Sequence, residues 1–214
     1  MATVLTLQPD TPIADLDRID RVVRRGGVVA IPTETFYGLG VSVSDEAAIR
    51  RVVAIKGRPD GKAILVLIAE RADLTGLITG MTAASEVLIN QCWPGPLTLI
   101  MSASPSVSPL LTGGTGTIGV RQPAHPALHR VLSHVGPLTG TSANRSGFPP
   151  CCTAQEVQSA FGSEVDLILD GGRTPGGMPS TIVNTVGGIH MVREGALERE
   201  RILALLQNTG LSEF

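Results

Sequence analysis

Ile13, Leu16, Ile19, Val22 and Val23 recur at three- and four-residue intervals, so they share one helical face, and Gly26-Gly27 supplies the stop. The apolar run Val28-Val29-Ala30-Ile31 that follows reads as a buried strand. The alternation continues. The pattern predicts helices over Glu46 to Ile55, Ala83 to Ile89 and Ala127 to Val135. It predicts strands over Ile64 to Ile68, Thr98 to Met101, Thr117 to Arg121 and Leu138 to Thr141. Thr153-Ala154-Gln155-Glu156 reads as a capping box, the Thr accepting from the third amide of a new helix and the Glu reaching back. Strands over Leu167 to Leu169 and Thr181 to Val186 and a C-terminal helix around Ile202 to Leu206 complete the series. Helix and strand interleaved in this way predict an α/β fold, a twisted, open, mixed sheet flanked by helices. With no internal repeat and no linker-like stretch, residues 1–214 read as a single domain.

Composition narrows the function. The chain is 43% hydrophobic over 214 residues, enough for one substantial core, yet only 3% aromatic. Aliphatic side chains must therefore fill the core, and a single-strand nucleic-acid surface built on ring stacking lacks its rings. A net charge of -2 argues against coating nucleic acid by bulk electrostatics, so any RNA contact must be focal. Cys92, Cys151 and Cys152 make neither a disulfide framework nor a CxxC metal spacing. The N-terminus has no basic-then-apolar signal and no apolar run approaches a membrane span, which predicts a cytoplasmic protein.

The positive charge is unevenly placed. Both lysines, Lys56 and Lys62, fall within Ile55-Lys56-Gly57-Arg58-Pro59-Asp60-Gly61-Lys62, with Arg58 between them. Ammonium and guanidinium groups gathered at a helix end suit a polyanion such as a nucleoside triphosphate; a solvated basic loop is the plain alternative. The segment is not a Walker A loop, being one residue short with Ala63 where a Ser or Thr is needed. Gly114-Thr115-Gly116-Thr117-Ile118-Gly119 spells the dinucleotide fingerprint but leads into a strand-like segment instead of a helix. Gly140-Thr141-Ser142-Ala143-Asn144 lacks the second glycine of a nucleophile elbow. His125 and His129 share a helical spacing without a third ligand, and no metal ligands are assigned.

Four glycine- and hydroxyl-rich segments stand at predicted strand ends, where backbone amides and short hydroxyl side chains can approach a ligand. They are Pro32-Thr33-Glu34-Thr35-Phe36-Tyr37-Gly38-Leu39-Gly40, the Lys56 segment, Ser142-Ala143-Asn144-Arg145-Ser146-Gly147, and Gly171-Gly172 through Pro179-Ser180-Thr181. Trp93-Pro94-Gly95-Pro96-Leu97-Thr98, Val120-Arg121-Gln122-Pro123-Ala124-His125-Pro126 and Val192-Arg193-Glu194-Gly195 lie between or after them. In this order the set resembles the YrdC/TsaC family of threonylcarbamoyl-AMP synthases across about residues 13 to 197, in the short, single-domain bacterial form.

The resemblance implies a nucleotidyltransferase that joins L-threonine, bicarbonate and ATP into threonylcarbamoyl-AMP and pyrophosphate. Magnesium accompanies the ATP, and a downstream transferase complex carries the group to the adenosine beside the tRNA anticodon. Carried over by motif, Lys56 and Arg58 look catalytic, Lys56 as an added cation lining the phosphate pocket. Arg58, Lys62, Ser142, Asn144, Pro150 and Arg193 look like ATP contacts. Thr35, Thr117, Arg121, Gly140 and Ser180 look like the threonine pocket, Arg121 offering its planar fork to the carboxylate. Departures from the pattern are Ala63, where relatives often have proline, Leu67, where some have histidine, and Pro150, where some have serine. A reading of another class uses Arg50, Arg51, Lys56, Arg58 and Lys62 as a basic face for tRNA or double-stranded RNA phosphates.

Overall fold

The structure, a computed structural model, describes residues 1–57 and 61–211. Its strands are β1 (Thr3–Thr6), β2 (Val29–Ile31), β3 (Gly38–Gly40), β4 (Val66–Leu67), β5 (Leu97–Ser102), β6 (Thr117–Arg121), β7 (Leu138–Thr139), β8 (Thr141–Ser142), β9 (Leu167–Asp170), β10 (Thr181–Asn184) and β11 (His190–Arg193). The α-helices are α1 (Ile13–Arg24), α2 (Glu46–Lys56), α3 (Ala83–Cys92), α4 (Pro109–Thr112), α5 (Pro126–Val135), α6 (Ala154–Phe161) and α7 (Arg199–Gln207).

The expected mixed α/β architecture is present, but its strands are shared between two sheets instead of one. The first has the order β1-β9-β2-β3-β8 and the second β11-β10-β5-β6-β4-β7. Both mix parallel and antiparallel neighbours: β2 runs parallel to β9 and antiparallel to β3, while β5 runs parallel to β10 and antiparallel to β6. The segment expected as one strand from Leu138 to Thr141 breaks at Gly140, where the chain leaves the second sheet for the first.

The run at Val28 is apolar throughout because both faces of β2 are covered. Val29 and Ile31 pack with Leu16, Ile19 and Val23 of α1 and Leu128, Val131 and Leu132 of α5. Val28 and Ala30 turn the other way, into a larger core with Ile49 and Val52 of α2 and Phe161 of α6. Each fully buried Ile or Leu contributes about 1.5–3 kcal/mol relative to exposure.

Asp45 caps α2 by accepting from the Ala48 amide at 3.0 Å, and Gly57 closes the helix in the left-handed region. At α6, Thr153 accepts from the Glu156 amide at 3.1 Å as expected. The Glu156 carboxylate, however, takes the Cys152 amide at 2.6 Å, one residue ahead of the cap, so the reciprocal half of the box is shifted. The strands that the hydrophobic pattern left out carry little apolar signal. β1 buries only Leu5, β3 is Gly-Leu-Gly, and β11 is largely exposed.

Candidate active site

Alternation across the second sheet sets the floor of a cavity of about 500 Å³. Thr98 and Ile100 of β5, Thr117, Gly119 and Arg121 of β6, and Ile182 of β10 face it, each two residues from the next on its strand. Register brings them abreast, Ile182 opposite Thr98 and Ile100 opposite Gly119. The roof and rim come from loops and short strand ends: Thr33, Thr35 to Gly38, Ala63 to Leu65, Gly140 to Ser142, Pro150, Gly177, Pro179 and Ser180. The ligand space thus lies over a sheet face and between two sheets, and not at strand ends alone.

Hydroxyl groups build the inner wall. The Thr33 hydroxyl accepts from the Thr35 amide at 3.1 Å and the Phe36 amide at 3.3 Å and donates to the Phe36 carbonyl at 2.8 Å. Thr33 is therefore the residue that folds this turn. Its outcome is the placement of Thr35, whose hydroxyl accepts from Arg121 Nη1 at 3.3 Å. Across the cavity the Thr98 and Ser180 hydroxyls meet at 2.9 Å. Tyr37 ties two loops together, its buried hydroxyl donating to the Gly172 carbonyl at 2.8 Å. Burial, and then the Asp170 carboxylate, push that phenol up to about 12.

Arg121 and Arg193 are the ionised side chains among the described lining residues. Arg121 is buried, and its Nη2 lies 2.7 Å from Glu34 Oε1. Arg193 is exposed along much of its length, but its tip is tucked in, Nε and Nη2 both donating to the Ser180 carbonyl, at 3.1 and 2.8 Å. Burial of that tip and the repulsion of Arg121 both lower the Arg193 pKa from its ordinary value. Two guanidiniums that repel each other across one cavity are relieved by an anion between them.

All five expected threonine-pocket residues, Thr35, Thr117, Arg121, Gly140 and Ser180, line this one space. So do Ser142, Pro150 and Arg193 of the expected ATP set. Gly140 is there without a side chain for a steric reason: a Cβ would stand 2.4 Å from Leu67 Cγ. Gly195 is equally constrained, since its Cβ would lie 2.2 Å from the Pro179 carbonyl that holds the loop before Ser180.

Lys56 is a correction. It does not line the cavity; it is buried, and its ammonium donates to the Ser142 carbonyl, to the Asn144 carbonyl at 2.9 Å and to Asn144 Oδ1 at 3.2 Å. Asn144 is likewise internal to the wall, bonding the Ser142 hydroxyl at 2.6 Å and the Phe148 carbonyl at 2.7 Å. Lys62 is exposed beside the lining residue Ala63 and does not itself line the cavity. Arg58 lies outside the described residues. Of the expected basic face, Arg50 pairs with Glu46 at 2.8 Å and Arg51 with Asp166 at 2.7 Å, both in exposed contacts.

Four participants were not given roles from sequence: Glu34, Tyr37, Thr98 and Gly119. Thr98 closes the quoted Trp93 segment, and Gly119 falls midway between Thr117 and Arg121 in the two-residue strand period, a signal that was available.

A family model for Sua5/YciO/YrdC proteins, described as telomere recombination, matches residues 21–195. This chain belongs to that family. A threonylcarbamoyl-AMP synthase of Nitrosococcus oceani is 40% identical over 154 residues, which cover 71% of this chain and 82% of that protein. One of Pyrococcus abyssi is 38% identical over 182 residues, 84% of this chain but 54% of the relative, so the chain spans about half of that longer protein. The crystal structure of P. abyssi Sua5 complexed with L-threonine superposes with a TM-score of 0.89 at 33% identity, covering 96% of this chain and 61% of that one. No helix among the described residues is long and apolar enough to cross a membrane.

Proposed function

We propose that this Sua5/YciO/YrdC chain condenses L-threonine, bicarbonate and ATP to threonylcarbamoyl-AMP and pyrophosphate, supplying the activated group for tRNA threonylcarbamoyladenosine formation. One observation carries the reading: a cavity walled by threonine and serine hydroxyls whose ionised lining groups are two guanidiniums, in a family whose relatives bear that synthase name.

The inner end takes the amino acid. Arg121 receives the threonine carboxylate, and the hydroxyls of Thr35, Thr98, Thr117 and Ser180 surround the rest of the molecule. Rejection of valine follows if these hydroxyls bond the substrate hydroxyl, because a site built for that bond is left unpaired by an isostere lacking it. Once the threonine amine has added to carbon dioxide derived from bicarbonate, the carbamate oxygen attacks the α-phosphorus. A phosphorus–oxygen bond forms there as the bond to the bridging oxygen breaks, and pyrophosphate leaves with that electron pair.

The residues at the mouth, Ser142, Pro150 and Arg193, with the exposed Lys62 next to the lining residue Ala63, form the nucleotide end, and Arg58 is assigned to it from its motif alone. Cations fixed around the phosphates stabilise charge that grows in the transition state, about 2–4 kcal/mol for each. Magnesium enters with ATP as part of the substrate. The phosphates and water would hold it there, and its charge would offset the charge growing on the leaving pyrophosphate. The remaining acceleration is positional: the cavity sets carbamate and α-phosphate in line.

The binding-module reading has less free charge to draw on, since Arg50 and Arg51 each already face an acidic residue. Pyrophosphate release from ATP and magnesium, with L-threonine or bicarbonate omitted in turn, tests the synthase. Release that requires both is the expected result; release indifferent to threonine overturns it.

A further inference from the structure

Arg121 is held at three points. Nε donates to the Gly95 carbonyl at 3.2 Å, Nη1 to the Thr35 hydroxyl at 3.3 Å, and Nη2 stands 2.7 Å from Glu34 Oε1. Both partners are internal, with side-chain exposures of 4% for Arg121 and 17% for Glu34. Glu34 follows β2 in the first sheet and Arg121 ends β6 in the second, so the pair spans the two sheets at the inner end of the cavity.

The pair is not arranged for its own stability. Despite the 2.7 Å separation, Nη2 and both Glu34 oxygens lack an aligned hydrogen-bond partner among the described residues, so the contact is an ion pair without hydrogen-bond geometry. Burial takes from such a pair much of what its attraction returns, and apolar pairs of similar volume are often at least as stabilising. What the arrangement does provide is orientation. A guanidinium is planar, so the hydrogen bonds at Nε and Nη1 set its plane, while the Glu34 charge beside Nη2 draws the fork to that side and so sets where its remaining N–H bonds point.

We propose that Glu34 is a positioning residue, anchoring the Arg121 fork so that its free N–H bonds meet the carboxylate of the amino-acid substrate. Glu34 lies behind the wall and does not line the cavity, so it acts through Arg121. It also neutralises one of the two guanidiniums, which keeps Arg121 and Arg193 in one cavity before any anion arrives. The inference rests on the synthase reading for the identity of the amino acid.

Calorimetric titration of L-threonine, of its carboxylate-free amino alcohol and of ATP into wild type, Glu34→Ala and Glu34→Gln tests it. Glu34→Ala should weaken L-threonine binding roughly tenfold with ATP affinity within about twofold, and the preference for L-threonine over the amino alcohol should shrink by the same factor. Glu34→Gln keeps an oxygen facing Nη2, folds with the wild-type shape and should lose roughly threefold. Equal threonine affinities in wild type and both variants, parallel losses for threonine and ATP, or an unchanged preference over the amino alcohol would overturn the role. Pyrophosphate release by wild type is scored separately. Its absence beside intact threonine binding removes the synthase reading while the titrations still decide the role of Glu34.

Discussion

Replacing Lys56 with methionine separates the phosphate-pocket role expected from sequence from the bracing role its contacts indicate. Its ammonium holds two loop carbonyls and the Asn144 amide oxygen behind the Ser142–Asn144 wall, at the C-terminal end of α2. A hydrogen bond to a charged group is worth about 1.5–3 kcal/mol, and the three share one donor whose own desolvation cost disappears with it. The net loss should be about 3 kcal/mol. With a urea slope of roughly 2–3 kcal/mol/M for a chain of this size, the unfolding midpoint should fall by about 1–1.5 M at unchanged slope. Pyrophosphate release should drop by roughly a hundredfold, because Ser142 is displaced from the nucleotide end. Lys62→Met, at an exposed position, should move stability by no more than about 0.5 kcal/mol. An unchanged midpoint for Lys56→Met combined with lost activity would refute the bracing argument and place the ammonium on the phosphates.

Three further outcomes follow from the structure. Gly140→Ala puts a methyl 2.4 Å from Leu67 Cγ at the crossing between sheets and should cost about 1–3 kcal/mol. Leu67→Ala removes the obstacle, so a double-mutant cycle should give a combined loss at least 1 kcal/mol below the sum, on the order of a contact coupling; additivity would refute the steric account. Burial, opposed in part by Glu34, holds His125 below its ordinary 6.5. The unfolded chain then binds the proton first as pH falls, so the His125 contribution to stability should be level above about 6.5 and decline below it, and His125→Gln should flatten that decline in urea midpoints. At the alkaline end Tyr37, raised to about 12, should cause stability to fall above pH 10, and Tyr37→Phe should lessen the fall, the rest of which comes from the buried Cys151 and Cys92 thiols that are raised as well.

Much of the local structure was determined by the sequence alone. The α1 stripe from Ile13 to Val23, the apolar run at Val28 and the Thr153 cap each specify their element through nearest neighbours, which is why their boundaries move by only a residue or two. The ordered motifs, too, specify the family and most of the residues that share the cavity. Tertiary structure decided the rest. Gly38 to Gly40 is a strand because Ala30 and Leu39 lie in register across two chains, a fact of pairing that no local pattern carries. The division into two sheets hangs on Gly140, whose bare backbone passes Leu67 where a side chain would not fit. Lys56 and Arg121 are both cations in motif positions, yet one became a buried brace and the other a wall of the cavity. Sequence supplies a charge; which carbonyls and carboxylates surround it is settled only when distant segments pack, and in a low-dielectric interior those neighbours determine what the charge can do.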